Sequence, residues 1–251
     1  MSIPVVDFGA YSLSEKDVAD EQMRNLSEEL KTAFTEVGCV FLKNTGITQE
    51  QVDRVMDISK KFFMQPEELK RPFSRKSFAN NPIHGWVSLE TERYKSGNEH
   101  NAFLYLKTDE NGTTLRSLYY PPVNSDKAKE GQLRCGEHSD YGSITLLFQS
   151  SEGLQVRRRS GEFIYAPCIP GTVLVNIADL VQRWTSDRFV SVLHRVLLPP
   201  VGESCTRQSL AFFVQPDDEA LITCCDGSNK YPPVTAGAYL IERYNDSYEQ
   251  S

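Results

Sequence analysis

The stretch Gly136-Glu137-His138-Ser139-Asp140-Tyr141-Gly142 marks the point where the chain changes to a succession of short strands. Apolar segments follow it at regular intervals, separated by Gly, Ser and Pro residues, at 144–149, 154–158, 162–166, 172–177, 190–198 and 208–214. Regular strand spacing with turn residues between strands is typical of an antiparallel sandwich or jelly roll. We therefore expect a mainly β fold.

The region before this stretch predicts flanking helices. Apolar residues recur at helical spacing from Glu15 to Val37, and Gly38 ends that pattern. Thr48 and Gln51 form a capping-box pattern that begins a second helix. Short strands are expected at 3–8, 39–42, 103–106 and 115–120, and a final short helix is expected near 239–244.

Composition excludes several classes of protein. The chain has 251 residues, 39% hydrophobic and 24% charged, which suits a soluble globular protein with one substantial core. A net charge of −7 argues against nonspecific nucleic-acid binding, and Arg157-Arg158-Arg159 is interpreted as a solvated hairpin edge. We find no membrane span and no targeting signal, so we expect a cytoplasmic protein with no membrane partner. The six scattered cysteines are then expected to be reduced.

Three residues suggest a metal site. In an extended segment His138 and Asp140 point to the same side, while His194 shares the inward face of a later strand with Val192 and Val196. Two imidazoles and one carboxylate match the facial triad that holds Fe(II) and leaves coordination positions open. Spacing alone would also suit zinc or manganese. Each histidine by itself could equally be a core residue bonded to the backbone.

A second pair of residues suggests an anion site. Arg207 and Ser209 also lie two apart on a predicted strand, so a guanidinium fork and a hydroxyl project from the same face. This pair suits a carboxylate, which an arginine binds through two parallel hydrogen bonds. A lone Arg-x-Ser is a weak signal, and its alternative is an edge arginine beside a small residue.

Together these motifs resemble a known family. The stretch around His138, with Gly153-Leu154-Gln155-Val156, Val175-Asn176-Ile177-Ala178-Asp179-Leu180, His194-Arg195-Val196 and Arg207-Gln208-Ser209-Leu210, is similar to the iron- and 2-oxoglutarate-dependent dioxygenases of the isopenicillin N synthase-like family. Ile3-Pro4-Val5-Val6-Asp7-Phe8 and Gly38-Cys39-Val40-Phe41 resemble its N-terminal region. The likeness covers most of the chain.

The resemblance implies a fold, cofactors and roles for residues. The fold would be a double-stranded β-helix, or jelly roll, with residues 1–110 as an N-terminal helical and strand region and 111–251 as the core. His138, Asp140 and His194 would bind Fe(II), Arg207 and Ser209 would hold the distal carboxylate of 2-oxoglutarate, and Tyr120 would assist. O2 would take the remaining metal position. The implied reaction oxidises a small organic molecule, commonly by hydroxylation, and releases succinate and CO2.

One segment departs from the family. Residues 86–133 are markedly shorter than usual and lack the amphipathic helices that normally precede the Tyr-Tyr-Pro motif, here Tyr119-Tyr120-Pro121. We therefore expect a shortened lid over the site. Two other functions stay open: a binding protein that keeps the ligands but does not catalyse, and an oxidase that does not use 2-oxoglutarate. Phe103, Tyr105, Tyr141 and Phe213 are candidates for substrate contact.

Overall fold

The structure is a computed structural model that describes residues 2–15, 18–77, 84–88, 101–107, 112–129 and 131–248. The α-helices among these residues are α1 Asp20–Glu36, α2 Gln49–Phe63, α3 Glu67–Lys70, α4 Asp179–Trp184 and α5 Ala236–Tyr248. The strands are β1 Val5–Asp7, β2 Cys39–Lys43, β3 Gly85–Val87, β4 Ala102–Lys107, β5 Thr114–Tyr120, β6 Cys135–His138, β7 Ile144–Gln149, β8 Leu154–Arg157, β9 Phe163–Tyr165, β10 Thr172–Ile177, β11 His194–Val196, β12 Arg207–Val214, β13 Leu221–Ile222 and β14 Val234–Thr235.

Two sheets form the body of the molecule. The larger sheet has the strand order β1-β2-β10-β7-β12-β5-β4-β3, and the smaller sheet has the order β6-β11-β8-β9. All neighbours are antiparallel except β1 and β2, which are parallel. The predicted jelly roll is confirmed, and this is the double-stranded β-helix that the family resemblance implied.

The main core lies between the two sheets because strand side chains alternate between faces. In β2, Cys39 and Phe41 belong to this inner core, whereas Val40 and Leu42 belong to an outer cluster that also contains residues of α1. Strand β2 is therefore apolar on both faces. This explains why its sequence is a continuous apolar run rather than an alternating one.

Helix α2 covers another part of the large sheet. Its start has the expected capping box, because the Thr48 hydroxyl accepts from the Gln51 backbone N–H and the Gln51 side chain accepts from the Thr48 N–H. Val52 and Met56 pack in a cluster with Leu210 of β12, which carries Arg207 and Ser209. Helix α2 thus covers the outer face of the strand whose inner face contributes to the site.

The predicted elements were mostly confirmed, with shifted bounds. Helix α1 begins at Asp20 rather than Glu15. The strand expected at 190–198 is reduced to His194–Val196, with a register irregularity against β6. Strands β8 and β9 form the hairpin around Ser160 and Gly161. Helices α3 and α4 and strands β3, β13 and β14 were not predicted.

Strands from both predicted regions contribute to one sheet, since β1 to β4 of residues 1–110 pair directly or through neighbours with β5, β7, β10 and β12. The division at residue 110 stays a prediction. Parts of the shortened segment 86–133, including His100, lie outside the described residues.

All six cysteines are free thiols. Within the described ranges no helix is long and apolar enough to cross a membrane.

Candidate active site

The two predicted histidine ligands face each other across neighbouring strands. His138 ends β6 and is the direct register partner of His194, the first residue of β11. Their ring centroids are 4.2 Å apart. Asp140 follows β6, and its Oδ1 atom lies 4.0 Å from His138 Nε2 and 3.7 Å from His194 Nε2. One potential ligand atom from each residue lies within 4.8 Å of the other two, an arrangement that could hold a metal ion.

The second oxygen of Asp140 is held by two hydrogen bonds. The Thr145 hydroxyl donates to Oδ2 over 2.6 Å, and the Asn176 side-chain amide donates over 2.8 Å. All three side chains are buried. With Oδ2 occupied, Oδ1 is the oxygen that faces both histidines. Outer partners of this kind orient a metal-binding carboxylate.

Backbone carbonyls fix the orientation of both histidine rings. His138 Nδ1 lies 2.7 Å from the Gly136 carbonyl, and His194 Nδ1 lies 3.1 Å from the Val192 carbonyl. A carbonyl can only accept, so each Nδ1 carries a proton, and in the neutral tautomer of each ring Nε2 is the atom that presents a lone pair. Burial, with the neighbouring His194 ring, lowers the pKa of His138 to about 3. His138 is therefore neutral near pH 7, as a metal ligand must be.

The charge of Asp140 is favoured by its surroundings. Burial alone would raise its pKa, but His194, His138 and the hydrogen bonds from Thr145 and Asn176 lower it below the ordinary value. The carboxylate therefore stays ionised. Two imidazoles with one carboxylate are a donor set that fits Fe(II) and leaves other positions for exchangeable ligands.

The predicted anion-binding residues line the same cavity as the triad. Arg207 is 1% exposed and Ser209 2% exposed. Arg207 Nη2 donates to Gln149 Oε1 over 2.9 Å, Nη1 lies 3.4 Å from Ser209 Oγ, and Nε has no hydrogen-bond partner among the described residues. The Gln149 and Ser209 side chains are neutral. A buried guanidinium is costly without an anion, so the site fits a ligand carboxylate.

Tyr120 lies beside this arginine. It is the register partner of Arg207, and the Arg207 guanidinium sits 5.0 Å from the centroid of the Tyr120 ring. Burial raises the pKa of the Tyr120 phenol, which keeps it protonated and able to donate a hydrogen bond. The structure thus brings together all the residues that the family resemblance assigned to 2-oxoglutarate.

Gln149 is a site residue that sequence reasoning missed. Its side-chain nitrogen donates to the Ala166 and Pro167 carbonyls over 3.1 and 2.9 Å. Because both N–H groups are used, Oε1 must face Arg207. Gln149 ends β7 opposite Ser209, so only the strand pairing reveals that it reaches Arg207. Thr145 and Asn176 were missed for the same reason.

The cavity around these residues is largely apolar. Its lining includes Leu118, Leu147, Leu154, Val156, Leu174, Val192, Val196, Ala211 and Phe213. Arg116 is a second buried arginine in the wall, and its guanidinium lies 3.8 Å from the Phe103 ring centroid. The cavity therefore has a guanidinium from β12 and another from β5.

The four candidates for substrate contact have different positions. Phe213 lines the cavity. Phe103 and Tyr105 are buried and stack on Arg116, which places them behind the wall. Tyr141 is half-buried and packs edge-on against Tyr244 of α5, with ring centroids 5.8 Å apart.

Comparison with known proteins identifies the family. The model of the 2OG-Fe(II) oxygenase superfamily matches residues 111–216, and the model described as non-haem dioxygenase in morphine synthesis N-terminal matches residues 3–126. The UPF0676 protein C1494.01 of Schizosaccharomyces pombe is 30% identical, and the match covers 100% of this chain and 94% of that protein. The 2-oxoglutarate-dependent dioxygenase htyE of Aspergillus rugulosus is 26% identical over 88% of this chain and 90% of its own.

A solved structure agrees. A full-length Neurospora crassa protein crystallised in complex with alpha-KG superposes with a TM-score of 0.86 at 26% identity, and the match covers 98% of this chain and 96% of that one. The alignment with the S. pombe protein has 314 positions against the 251 residues of this chain, so at least 63 positions face gaps here. The chain belongs to the Fe(II)- and 2-oxoglutarate-dependent oxygenases of the isopenicillin N synthase-like superfamily, enzymes that oxidise small molecules.

Proposed function

We propose that His138, Asp140 and His194 bind Fe(II) in this chain, and that Arg207, Ser209 and Tyr120 hold 2-oxoglutarate beside it. The observation that carries this proposal is the shared cavity. The cavity joins two imidazoles and a carboxylate to the buried Arg207 guanidinium, whose hydrogen-bond partners among the described residues are neutral side chains. A dicarboxylate that reaches both the metal and Arg207 would satisfy both groups.

The chain's own residues prepare the metal site. The Gly136 and Val192 carbonyls bind Nδ1 of the two rings and so leave Nε2 as the atom available to a metal, while Thr145 and Asn176 hold Asp140 with Oδ1 toward the histidines. Three ligands of this kind would leave other coordination positions of Fe(II) available for 2-oxoglutarate and O2. When bound, Fe(II) with 2-oxoglutarate and O2 supplies the oxidising chemistry, in which 2-oxoglutarate is converted to succinate and CO2.

Other residues orient the cosubstrate and exclude water. Arg207 would donate to the distal carboxylate through its fork, with Ser209 and the protonated Tyr120 as further donors. The apolar wall formed by residues such as Leu118, Leu147 and Val156 limits water around the reacting centre. Exclusion of water strengthens the electrostatic contacts within the site and protects reactive species from side reactions.

The substrate is a small organic molecule that carries an acceptor oxygen, such as a carbonyl or carboxylate, near the C–H bond that is oxidised. The support is the buried Arg116 in the cavity wall, together with the apolar side chain of Phe213 in the same lining. The Neurospora crassa protein has also been solved with thymine and with 5-formyluracil, both of which carry carbonyl oxygens.

We also propose a cytoplasmic location, in keeping with the net charge of −7.

The decisive experiment measures cofactor binding and turnover separately. Under anaerobic conditions, we expect a visible absorption band only when both Fe(II) and 2-oxoglutarate are added. In air, a panel of carbonyl- and carboxylate-bearing small molecules should include some that stimulate succinate release. His194→Ala should lose the band and the turnover. Unchanged turnover in His194→Ala would overturn the metal assignment.

The same experiment separates the two alternatives. A binding protein would show the band but release no succinate with any compound of the panel. An oxidase that does not use 2-oxoglutarate would show no band and would consume O2 equally with and without 2-oxoglutarate. The buried charge of Arg207 favours a protein that binds 2-oxoglutarate over an oxidase that does not use it. Membership of a family of oxygenases favours catalysis over binding alone.

A further inference from the structure

Asp179 is a half-buried carboxylate outside the cofactor site that touches the segments carrying the proposed metal ligands. Its Oδ1 accepts from the Ser191 hydroxyl over 2.6 Å, and its Oδ2 accepts from the Ser139 hydroxyl over 3.2 Å. Ser139 stands between the ligands His138 and Asp140, and Ser191 lies three residues before His194. One carboxylate therefore links both ligand-bearing segments.

The backbone at the start of α4 adds to this link. The Ala178, Asp179 and Leu180 N–H groups donate to the Ser143, Asp140 and Gly142 carbonyls over 2.9 to 3.0 Å. The first N–H groups of a helix have no partner inside the helix, so they are free to bind such a turn. The turn that follows His138 is thus fixed to α4 by its backbone and by the Ser139 side chain.

The C-terminal helix reaches the same carboxylate. Arg243 of α5 forms an ion pair with Asp179, with Nη2 3.2 Å from Oδ2. The Asp179 side chain is 14% exposed and that of Arg243 33% exposed. The Arg243 guanidinium also lies 4.9 Å from the centroid of the Tyr141 ring, next to Asp140 in sequence. Helix α5 thus contacts the turn that follows His138 (residues 139–143, the ligand turn) through Asp179 and Tyr141.

The charge of Asp179 depends on these partners. Burial raises its pKa, whereas the hydrogen bonds from Ser191 and Ser139 and the charge of Arg243 oppose that effect. A buried carboxylate that loses a partner becomes costly, and the surrounding chain shifts to find a new one. Any such shift moves Ser139 or Ser191, and with them the metal ligands.

We propose that Asp179 is a positioning residue that sets the affinity of the triad for Fe(II), and that Arg243 couples the C-terminal helix to the iron site through it. The proposal rests on the proposed function, because it takes the triad as the metal site. Asp179 is not among the three residues that would bind the metal. It acts through the Ser139 and Ser191 hydroxyls and the Asp140 carbonyl.

The test measures the Fe(II) affinity of the 251-residue chain by anaerobic competition with a chromogenic chelator. Loss of an outer partner typically costs 10- to 100-fold in metal affinity, so we expect about that loss in Asp179→Ala. Arg243→Met should weaken Fe(II) binding in the same direction but less. Glu242→Gln, an exposed charge change on the same helix, is the matched control and should bind Fe(II) like the wild type.

Two further variants make the outcome decisive. The double variant Asp179→Ala/Arg243→Met should bind Fe(II) no more weakly than Asp179→Ala, since Arg243 acts through Asp179. Ser139→Ala keeps the carboxylate but removes its side-chain link to the ligand turn, and it should also weaken Fe(II) binding. It serves as the test if Asp179→Ala does not fold.

A merely structural role would give another result. Asp179→Ala would then lower the melting temperature of the metal-free protein while the folded protein kept wild-type Fe(II) affinity, and the proposal would fail. Additive losses in the double variant would overturn the coupling through Asp179. If His194→Ala bound Fe(II) as the wild type does, the proposed metal site itself would be wrong. Loss in His194→Ala with no loss in Asp179→Ala or Ser139→Ala would refute only this inference.

Discussion

Replacing Arg207 with methionine tests the cosubstrate site most directly. Arg207 is 1% exposed, and its described partners are the neutral Gln149 and Ser209 side chains. Methionine keeps much of the volume and removes the charge. The substitution should therefore separate ligand binding from folding, which alanine would confuse by leaving a cavity.

The expected loss of 2-oxoglutarate binding follows from hydrogen bonds to a charged group. Each is worth about 1.5–3 kcal/mol, so a fork of two contributes roughly 3–6 kcal/mol. At about 1.4 kcal/mol per factor of ten, the Kd for 2-oxoglutarate should rise by roughly 10²- to 10⁴-fold. Fe(II) affinity should change little, because the hydrogen bonds of Arg207 within the described residues go to Gln149 and Ser209 and not to the triad.

The stability of the ligand-free protein should change little. Replacing a buried ion pair by apolar side chains is often neutral or stabilising by about 1–4 kcal/mol, and removing the buried Arg207 charge, which has only neutral partners among the described residues, should act in the same direction. Against this, Gln149 Oε1 loses its partner, at a cost of about 1–3 kcal/mol. The two effects nearly cancel, and the ligand-free variant should therefore be about as stable as the ligand-free wild type. Added 2-oxoglutarate should stabilise the wild type but not the variant, because the variant binds it far more weakly.

The assay is calorimetric titration of the Fe(II)-loaded protein under anaerobic conditions, with 2-oxoglutarate and with 2-oxobutyrate, which lacks the distal carboxylate. The preference of the wild type for 2-oxoglutarate should disappear in Arg207→Met and persist in Arg158→Met, which removes a guanidinium from the β8–β9 hairpin. Equal losses of Fe(II) and 2-oxoglutarate affinity, or a loss of more than about 3 kcal/mol in stability as for a broken buried pair, would refute the reasoning.

Three further substitutions have definite expected outcomes. Asn176→Leu removes the 2.8 Å hydrogen bond to Asp140 and should weaken Fe(II) binding by about 10- to 100-fold in chelator competition; an unchanged Kd would show that this bond does not orient the carboxylate. Gln149→Leu should raise the Kd for 2-oxoglutarate about tenfold in the same titration, because Arg207 loses the charge-assisted hydrogen bond to Gln149 that aligns its guanidinium. A matching fall in Fe(II) affinity would instead indicate disruption of the barrel. Gly38→Ala should lower the melting temperature, because φ is +83° and a Cβ would lie 2.4 Å from the Val190 carbonyl oxygen; a melting temperature equal to that of the wild type would contradict this.

Local patterns predicted the elements that periodicity can show. Helix α2 was found because its capping box and apolar stripe depend on residues within a few positions of one another. Helix α4 was missed because it has only six residues, too few for a helical period to appear. Its role depends on which carbonyls its first N–H groups meet, and those belong to the distant turn after His138.

The site shows the same division. His138 and Asp140 were paired by strand alternation, as were Arg207 and Ser209, because those residues are two apart. Asn176, by contrast, is 36 residues from Asp140 and meets it only because β10 pairs with β7, which carries Thr145. A side chain's partners across a sheet depend on strand order and register, which no local pattern records.

The sequence by itself determined the strand-rich fold class, the two ligand motifs and, through the family resemblance, the cofactors. Those features depend on local spacing and on motifs that are read along the chain. Only the tertiary structure decided that His138 and His194 are register partners, that Gln149 aligns Arg207, and that Asp179 links both ligand segments to α5. The physical reason is that these contacts form between segments far apart in the chain, and their geometry follows from sheet pairing and burial.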